Sequence, residues 1–233
     1  MMRDSTYQTG SVGHEPAARL CGPPAGGWQL AVQFFWHDDR FAHRLELVPL
    51  APHEKTRQRS ASSQNGDALS PADPWRLAGS IEGDPHTEWP ISPPFQQLDR
   101  CQLAADRSGL VAVGMAGTSH WSLAVEADSE LLWFDVACRV QRPLAELRST
   151  YLLAYPFAVR DSSETGCVLE FETTPEADVD APRLPRLQVQ IDPKWTTVSA
   201  DPSNRTLCFC PVQAWERLPA TVRWRYGVAC QTA

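Results

Sequence analysis

His120, Ser122 and Asp135 lie near one another in the stretch SHWSLAVEADSELLWFDVACRV (119–140). Together they supply a base, a nucleophile and an orienting carboxylate, the set a hydrolase uses. Whether they meet depends on strand register. Period-two alternation puts Ser119, Trp121, Leu123 and Val125 on one face and His120, Ser122, Ala124 and Glu126 on the other. On the returning strand Leu132, Phe134, Val136, Cys138 and Val140 share a face, opposite Leu131, Trp133, Asp135, Ala137 and Arg139. An even turn around Ala127–Glu130 keeps the two apolar sets together, and an odd turn opposes one to the mixed set. The even turn pairs Val125 with Leu132, Leu123 with Phe134 and Trp121 with Val136. It sets Ser122 opposite Asp135, with His120 on the diagonal, and leaves Cys138 in the core.

That arrangement suits a relay poorly. Residues two apart on a strand have Cβ atoms roughly 7 Å apart, whereas a Ser–His hydrogen bond needs about 2.6–3.2 Å. The chain also lacks a G-x-S-x-G nucleophile elbow. A His120–Asp135 hydrogen bond that stiffens the hairpin is the favoured reading, and His120, Asp135 and Ser122 are weak catalytic candidates.

Metal chemistry finds little support. Cys208-x-Cys210 has no second C-x-x-C or H-x-x-x-H pair to complete a zinc site. His37, Asp38, Asp39 and His43 surround one turn, but alternation sets His43 beside Phe34 on an apolar face, so a core histidine is expected. No metal and no cofactor are expected, and no phosphate-binding glycine motif occurs. Binding is better served. Nine tryptophans are present. Trp28, Trp121 and Trp224 fit core periodicity, while Trp75, Trp89, Trp195 and Trp215 fall in loops or at element ends. Such rings stack on sugars, proline-rich peptides or bases. Arg223 and Arg225 flank Trp224 as a small anion patch. The candidate binding residues are therefore Trp89, Trp195, Trp215, Arg223 and Arg225.

The elements that must hold these residues are strands. Trp28, Leu30, Val32, Phe34 and Trp36 alternate, His37-Asp38-Asp39-Arg40 turns the chain, and Phe41, Leu45 and Leu47 resume. An even loop pairs Trp36 with Phe41, Val32 with Leu45 and Leu30 with Leu47. Further strands are read at Leu110–Met115, Tyr151–Tyr155, 167–171, Leu187–Ile191, 206–212 and Val222–Val228, with one short helix near Pro143–Arg148. Twenty prolines disfavour long helices. The expected fold is all-β, an antiparallel sandwich or open barrel built from hairpins. Residues 1–26 read as a flexible tail and 27–231 as a single β domain, with 51–74 a mobile insertion.

The balance of the chain narrows partners. With 42% hydrophobic residues and 21% charged ones, a packed core is available. A net charge of −7 disfavours a broad nucleic-acid or anionic membrane face. No apolar run approaches the roughly 20 residues of a membrane span, and the N-terminus has no signal-peptide core. The odd count of seven cysteines at irregular spacing reads as thiols in a reducing, cytoplasmic compartment.

The phrases GMAGTSHWSLAVE (114–126), WFDVACRV (133–140) and WPISPPFQQL (89–98) resemble an uncharacterised planctomycete family of β-rich hypothetical proteins. The resemblance covers about the middle third of the chain and implies a cytoplasmic bacterial protein. That family has no known activity, so no residue role follows from it. Two functions are carried forward. One is a non-catalytic β-sandwich module that binds a protein or carbohydrate-like ligand through loops and aromatics. The other is a hydrolase-like or metal-dependent enzyme using His120 and Asp135.

Overall fold

The computed structural model describes residues 16–50, 76–82, 91–104, 107–142, 146–172, 184–212 and 217–232. Their strands, in chain order, are β1 (Ala18–Ala25), β2 (Trp28–His37), β3 (Arg40–Pro49), β4 (Arg76–Ser80) and β5 (Gln97–Ala104). Next come β6 (Arg107–Ala116), β7 (Ser119–Ala127), β8 (Leu132–Val140), β9 (Ser149–Leu153) and β10 (Phe157–Ser163). The last are β11 (Gly166–Phe171), β12 (Arg186–Ile191), β13 (Thr196–Asp201), β14 (Thr206–Pro211) and β15 (Ala220–Gln231). One sheet runs β1-β2-β3-β4-β9-β14-β13 and the other β10-β11-β12-β15-β8-β7-β6-β5. Every pairing is antiparallel. The sheets pack face to face as a β-sandwich around one continuous core.

Alternation builds that core. Leu30, Val32 and Phe34 of β2, Leu45 and Leu47 of β3, Leu132, Phe134 and Val136 of β8, and Val222, Trp224 and Tyr226 of β15 are buried. Burying a Val, Leu or Phe side chain stabilises by about 1.5–3 kcal/mol. The β2–β3 hairpin has the expected register: Trp36 pairs with Phe41, Val32 with Leu45 and Leu30 with Leu47.

Several expectations need correction. Ala18–Ala25, expected within a flexible tail, instead form a strand that pairs with β2. Ala18, Leu20 and Gly22 turn inward between more exposed neighbours. The register shift between Cys21 and Pro24 accommodates the prolines on what is an edge strand. The helix expected near Pro143–Arg148 is absent over 146–148, and 143–145 lie outside the described residues. So do residues 1–15 and the insertion at 51–74. Among the described residues no helix is long and apolar enough to cross a membrane.

The β7–β8 register also differs. The faces are as expected, but Val125 pairs with Phe134, Leu123 with Val136 and Trp121 with Cys138, a displacement of two residues. Asp128 causes it. Its Oδ1 accepts from the amides of Glu130 (2.7 Å) and Leu131 (2.8 Å), and its own amide donates to the Leu131 carbonyl (3.0 Å). One carboxylate thus closes a turn over 128–131, and Leu131 is buried beside Gly227.

A buried polar chain crosses the sandwich. His43 Nε2 lies 2.6 Å from the Tyr151 hydroxyl, which lies 2.8 Å from the Tyr226 hydroxyl. Trp224 Nε1 donates to Ser149 Oγ at 3.0 Å, and Ser149 also bonds Tyr226. His43 stacks on Phe34, as its place on the apolar face implies. The Tyr151–Tyr226 bond joins the two sheets, so it fixes how they seat on each other.

Close approach also fixes the loop before β5. A Cβ at Gly114 would lie 1.9 Å from the Pro94 carbonyl oxygen and 2.8 Å from Phe95 Cα. Gly114→Ala is expected to cost about 1–3 kcal/mol, the usual range for overpacking. Urea unfolding should show a lower midpoint at unchanged m-value; an unchanged midpoint would mean that the 92–96 segment yields freely.

Candidate functional site

On the outer face of the eight-stranded sheet, β8 and β15 lie side by side. Gly227 pairs with Trp133, and the indole lies over it: a Cβ there would sit 3.0 Å from the ring. Above the indole, the Arg225 guanidinium carbon stands 4.5 Å from the ring centroid. Trp133 Nε1 donates to Asp128 Oδ2 at 2.7 Å. Trp133 is thus backed by Gly227, stacked with Arg225 and held at its edge, and it forms the floor of the site.

The wall beside this floor is Trp195. β12 stops pairing with β15 at Ile191 opposite Tyr226, and the chain then crosses to β13 in the other sheet. The crossing is a tight turn. The Asp192 carbonyl accepts from the amides of Trp195 (3.0 Å) and Thr196 (2.9 Å), and Asp192 Oδ1 accepts from the Lys194 amide (3.0 Å). The buried Thr196 hydroxyl then donates to the Arg225 carbonyl (2.8 Å) and accepts from the Arg225 amide (2.9 Å). Those two backbone groups lie just beyond the last β12 partner, and one hydroxyl satisfies both. The Val212 amide donates to the Trp195 carbonyl at 3.0 Å. Trp195 is therefore fixed at its backbone while its ring stays 45% exposed.

Trp133, Asp192, Trp195, Arg223 and Arg225 enclose a pocket of about 350 Å³. Its charges are matched. Arg223 Nε donates to Asp135 Oδ1 at 2.6 Å, and its Nη2 donates to Asp135 Oδ2, a bidentate pair. That hydrogen bonding pushes the Arg223 pKa further up, so the guanidinium stays charged. Arg225 Nη2 donates to Glu126 Oε1 at 2.9 Å. The pocket thus offers an aromatic wall, fork-shaped donors and carboxylate acceptors.

Three of the five binding residues expected from sequence, Trp195, Arg223 and Arg225, come together here. Trp89 and Trp215 lie outside the described residues, as does Trp75. Trp133 and Asp192 were missed. The signal for Trp133 was its place in the mixed set of the hairpin, where a large aromatic turned outward calls for an explanation.

The hydrolytic trio does not meet. His120 stands opposite Arg139, Ser122 opposite Ala137 and Asp135 opposite Ala124. Four strand positions, roughly 13 Å, separate the levels of His120 and Asp135. Asp135 is engaged by Arg223 instead. His120 and Ser122 are exposed and line a shallow groove of about 550 Å³ with Met115, Arg139 and Gln97. The expected His120–Asp135 hydrogen bond is thus replaced by the Arg223–Asp135 pair, because the Asp128 turn moves the register.

The remaining candidates also separate. His43 is in the core, and burial pushes its pKa down to about 4. Asp39 binds Arg40, whose hydrogen bond lowers the carboxyl pKa. Cys208 reaches Thr150 Oγ1 at 3.8 Å, and Cys210 pairs with Thr197 across the β13–β14 ladder. Cys138 is fully buried, and desolvation raises its thiol to about 12. Among the described residues no group of three or more His, Cys, Asp or Glu side chains converges for a metal.

Comparison of the chain with protein-family models, with curated proteins and with solved structures gives no match.

Proposed function

We propose that this chain is a non-catalytic β-sandwich binding module that takes a carbohydrate-like ligand against Trp195. The observation that carries the reading is the convergence of Trp195, Trp133, Arg223, Arg225 and Asp192 on one pocket. The polarised C–H groups of a sugar ring pack on the negative face of an indole. Sugar hydroxyls both donate and accept, and the pocket wall presents guanidinium donors beside the Asp192 carboxylate. An aromatic ring fixed before the ligand arrives loses little entropy on binding. The cytoplasmic setting of this reading is supported by the cysteine usage, and the bacterial setting by the planctomycete resemblance.

The test is a tryptophan-fluorescence titration with a panel of soluble oligosaccharides. At least one is expected to perturb the emission saturably, and Trp195→Ala should weaken that ligand by about tenfold or more, as for an aromatic anchor of an interface. The melting temperature of the variant should barely move, since the ring is half exposed. A panel with no binder, or binding that is indifferent to Trp195→Ala, would overturn the proposal.

A further inference from the structure

We infer that the pocket selects uncharged saccharides, and that Asp135 is the positioning residue that enforces the selection by holding Arg223 in a closed pair. The inference rests on the binding reading above and adds a ligand class to it. Two arginines beside an exposed tryptophan suggest at first an anionic ligand. The pairing argues otherwise. Asp135 engages Arg223 through both a Nε and a Nη2 bond, and Glu126 engages Arg225. Asp192 adds a third carboxylate against two guanidinium groups. An incoming carboxylate would give up hydration to meet two lining guanidinium groups that are already paired. A hydroxyl carries no such penalty. It can accept from guanidinium hydrogens left free by the pairs, since each Arg has five donors, and it can donate to Asp192.

Geometry supports a built arrangement. Arg225 is clamped at its backbone by Thr196, stacked on Trp133 and paired with Glu126, so it cannot swing out to meet an anion. Arg223 is the freer of the two, with 59% of its side chain exposed, and among the described residues only Asp135 restrains it. Asp135 itself is 19% exposed at its side chain, stands opposite Arg225 in the β8–β15 ladder and reaches Arg223 on the diagonal. Removing its charge while keeping its shape therefore releases one guanidinium at the rim of the pocket.

The experiment compares neutral gluco-, manno-, xylo- and N-acetylglucosamine oligosaccharides with an oligogalacturonate of equal length. Binding is read by tryptophan fluorescence on wild type, Trp195→Ala, Asp135→Asn and Glu126→Gln. Wild type should bind a neutral oligosaccharide and prefer it over the acidic one by about tenfold or more, the scale of one hydrogen bond to a charged group. Asp135→Asn should erase that preference by strengthening acidic binding, and added salt should reverse the gain. Glu126→Gln should change it less, because Arg225 stays clamped. A wild type that prefers the acidic oligosaccharide in a Trp195-dependent way would overturn the selectivity and leave the binding reading standing. A neutral preference that Asp135→Asn leaves intact would overturn the role of Asp135. Absence of any Trp195-dependent binding would overturn the binding reading and this inference together.

Discussion

Phe134→Ala should unfold at far lower urea than wild type, losing about 3–5 kcal/mol, the usual range for deleting a buried aromatic. Phe134 is fully buried, and its ring stacks on Tyr226 at 5.1 Å and near His43 at 6.0 Å. Truncation removes contacts on both sides and opens a void beside the polar chain that joins the sheets. His120→Ala, one strand away on the outer face, should cost no more than about 0.5 kcal/mol, as for an ordinary surface site. The pair tests which face of the hairpin is core. Equal losses, or a larger loss at His120, would contradict the assignment of faces.

Stability should depend on pH in opposite senses in two other variants. Burial pushes His43 down to about 4 from its ordinary 6.5. Between those values the unfolded chain holds a proton that the folded chain does not, so His43 removes stability as pH falls from 6.5 to about 4. Glu82 works the other way. Burial raises it from 4.5 to about 7, against the lowering effect of the Ser80 hydrogen bond. Its Oε2 is buried without a hydrogen-bond partner among the described residues. Between 4.5 and 7 the folded chain holds the extra proton, so Glu82 removes stability as pH rises. Each effect amounts to roughly 3 kcal/mol across its window, and in wild type the two oppose each other.

Glu82→Gln leaves His43 alone, so its stability should climb from about pH 4.5 to about pH 6.5. His43→Phe keeps the stack on Phe34 and should instead lose stability from about pH 4.5 to about pH 7. Urea midpoints measured across that range separate the two. Parallel profiles for the two variants would show that neither group is held as burial implies.

The sequence reading recovered the interior strands with a clear pattern and overlooked β4 and the strands at the sheet edges. β2, β3, β7, β8, β12 and β15 announce themselves by alternation, because one side of each is core. β1, β13, β5 and β10 form the four edges of the two sheets, and none was recognised. An edge strand has one neighbour instead of two and carries residues that discourage further pairing. β1 carries Pro23 and Pro24, β10 ends in Arg160, Asp161, Ser162 and Ser163, and β5 alternates weakly. β4 was missed because five residues are too few to show a period.

The site was legible in part for a related reason. Trp195, Arg223 and Arg225 stood out by residue type and exposure. Their meeting with Trp133 depends on where β12 stops and on the Thr196 hydroxyl, and both are set by long-range contacts. The trio of His120, Ser122 and Asp135 failed because an aspartate carboxylate at the turn, Asp128, moved the register by two residues without disturbing the hydrophobic pattern. Period-two patterning is blind to a displacement of that size.

The most direct measurement is a proton–nitrogen correlation spectrum of the indole N–H groups, recorded while a neutral oligosaccharide is titrated in. Each of the nine tryptophans carries one such group, and the Trp195 signal is assigned by its loss in Trp195→Ala. The Trp195 signal should move furthest, the Trp133 signal should follow it, and those of the buried Trp121 and Trp224 should stay in place. Saturable shifts confined to other tryptophans, or none for any sugar tested, would contradict a ligand site at Trp195.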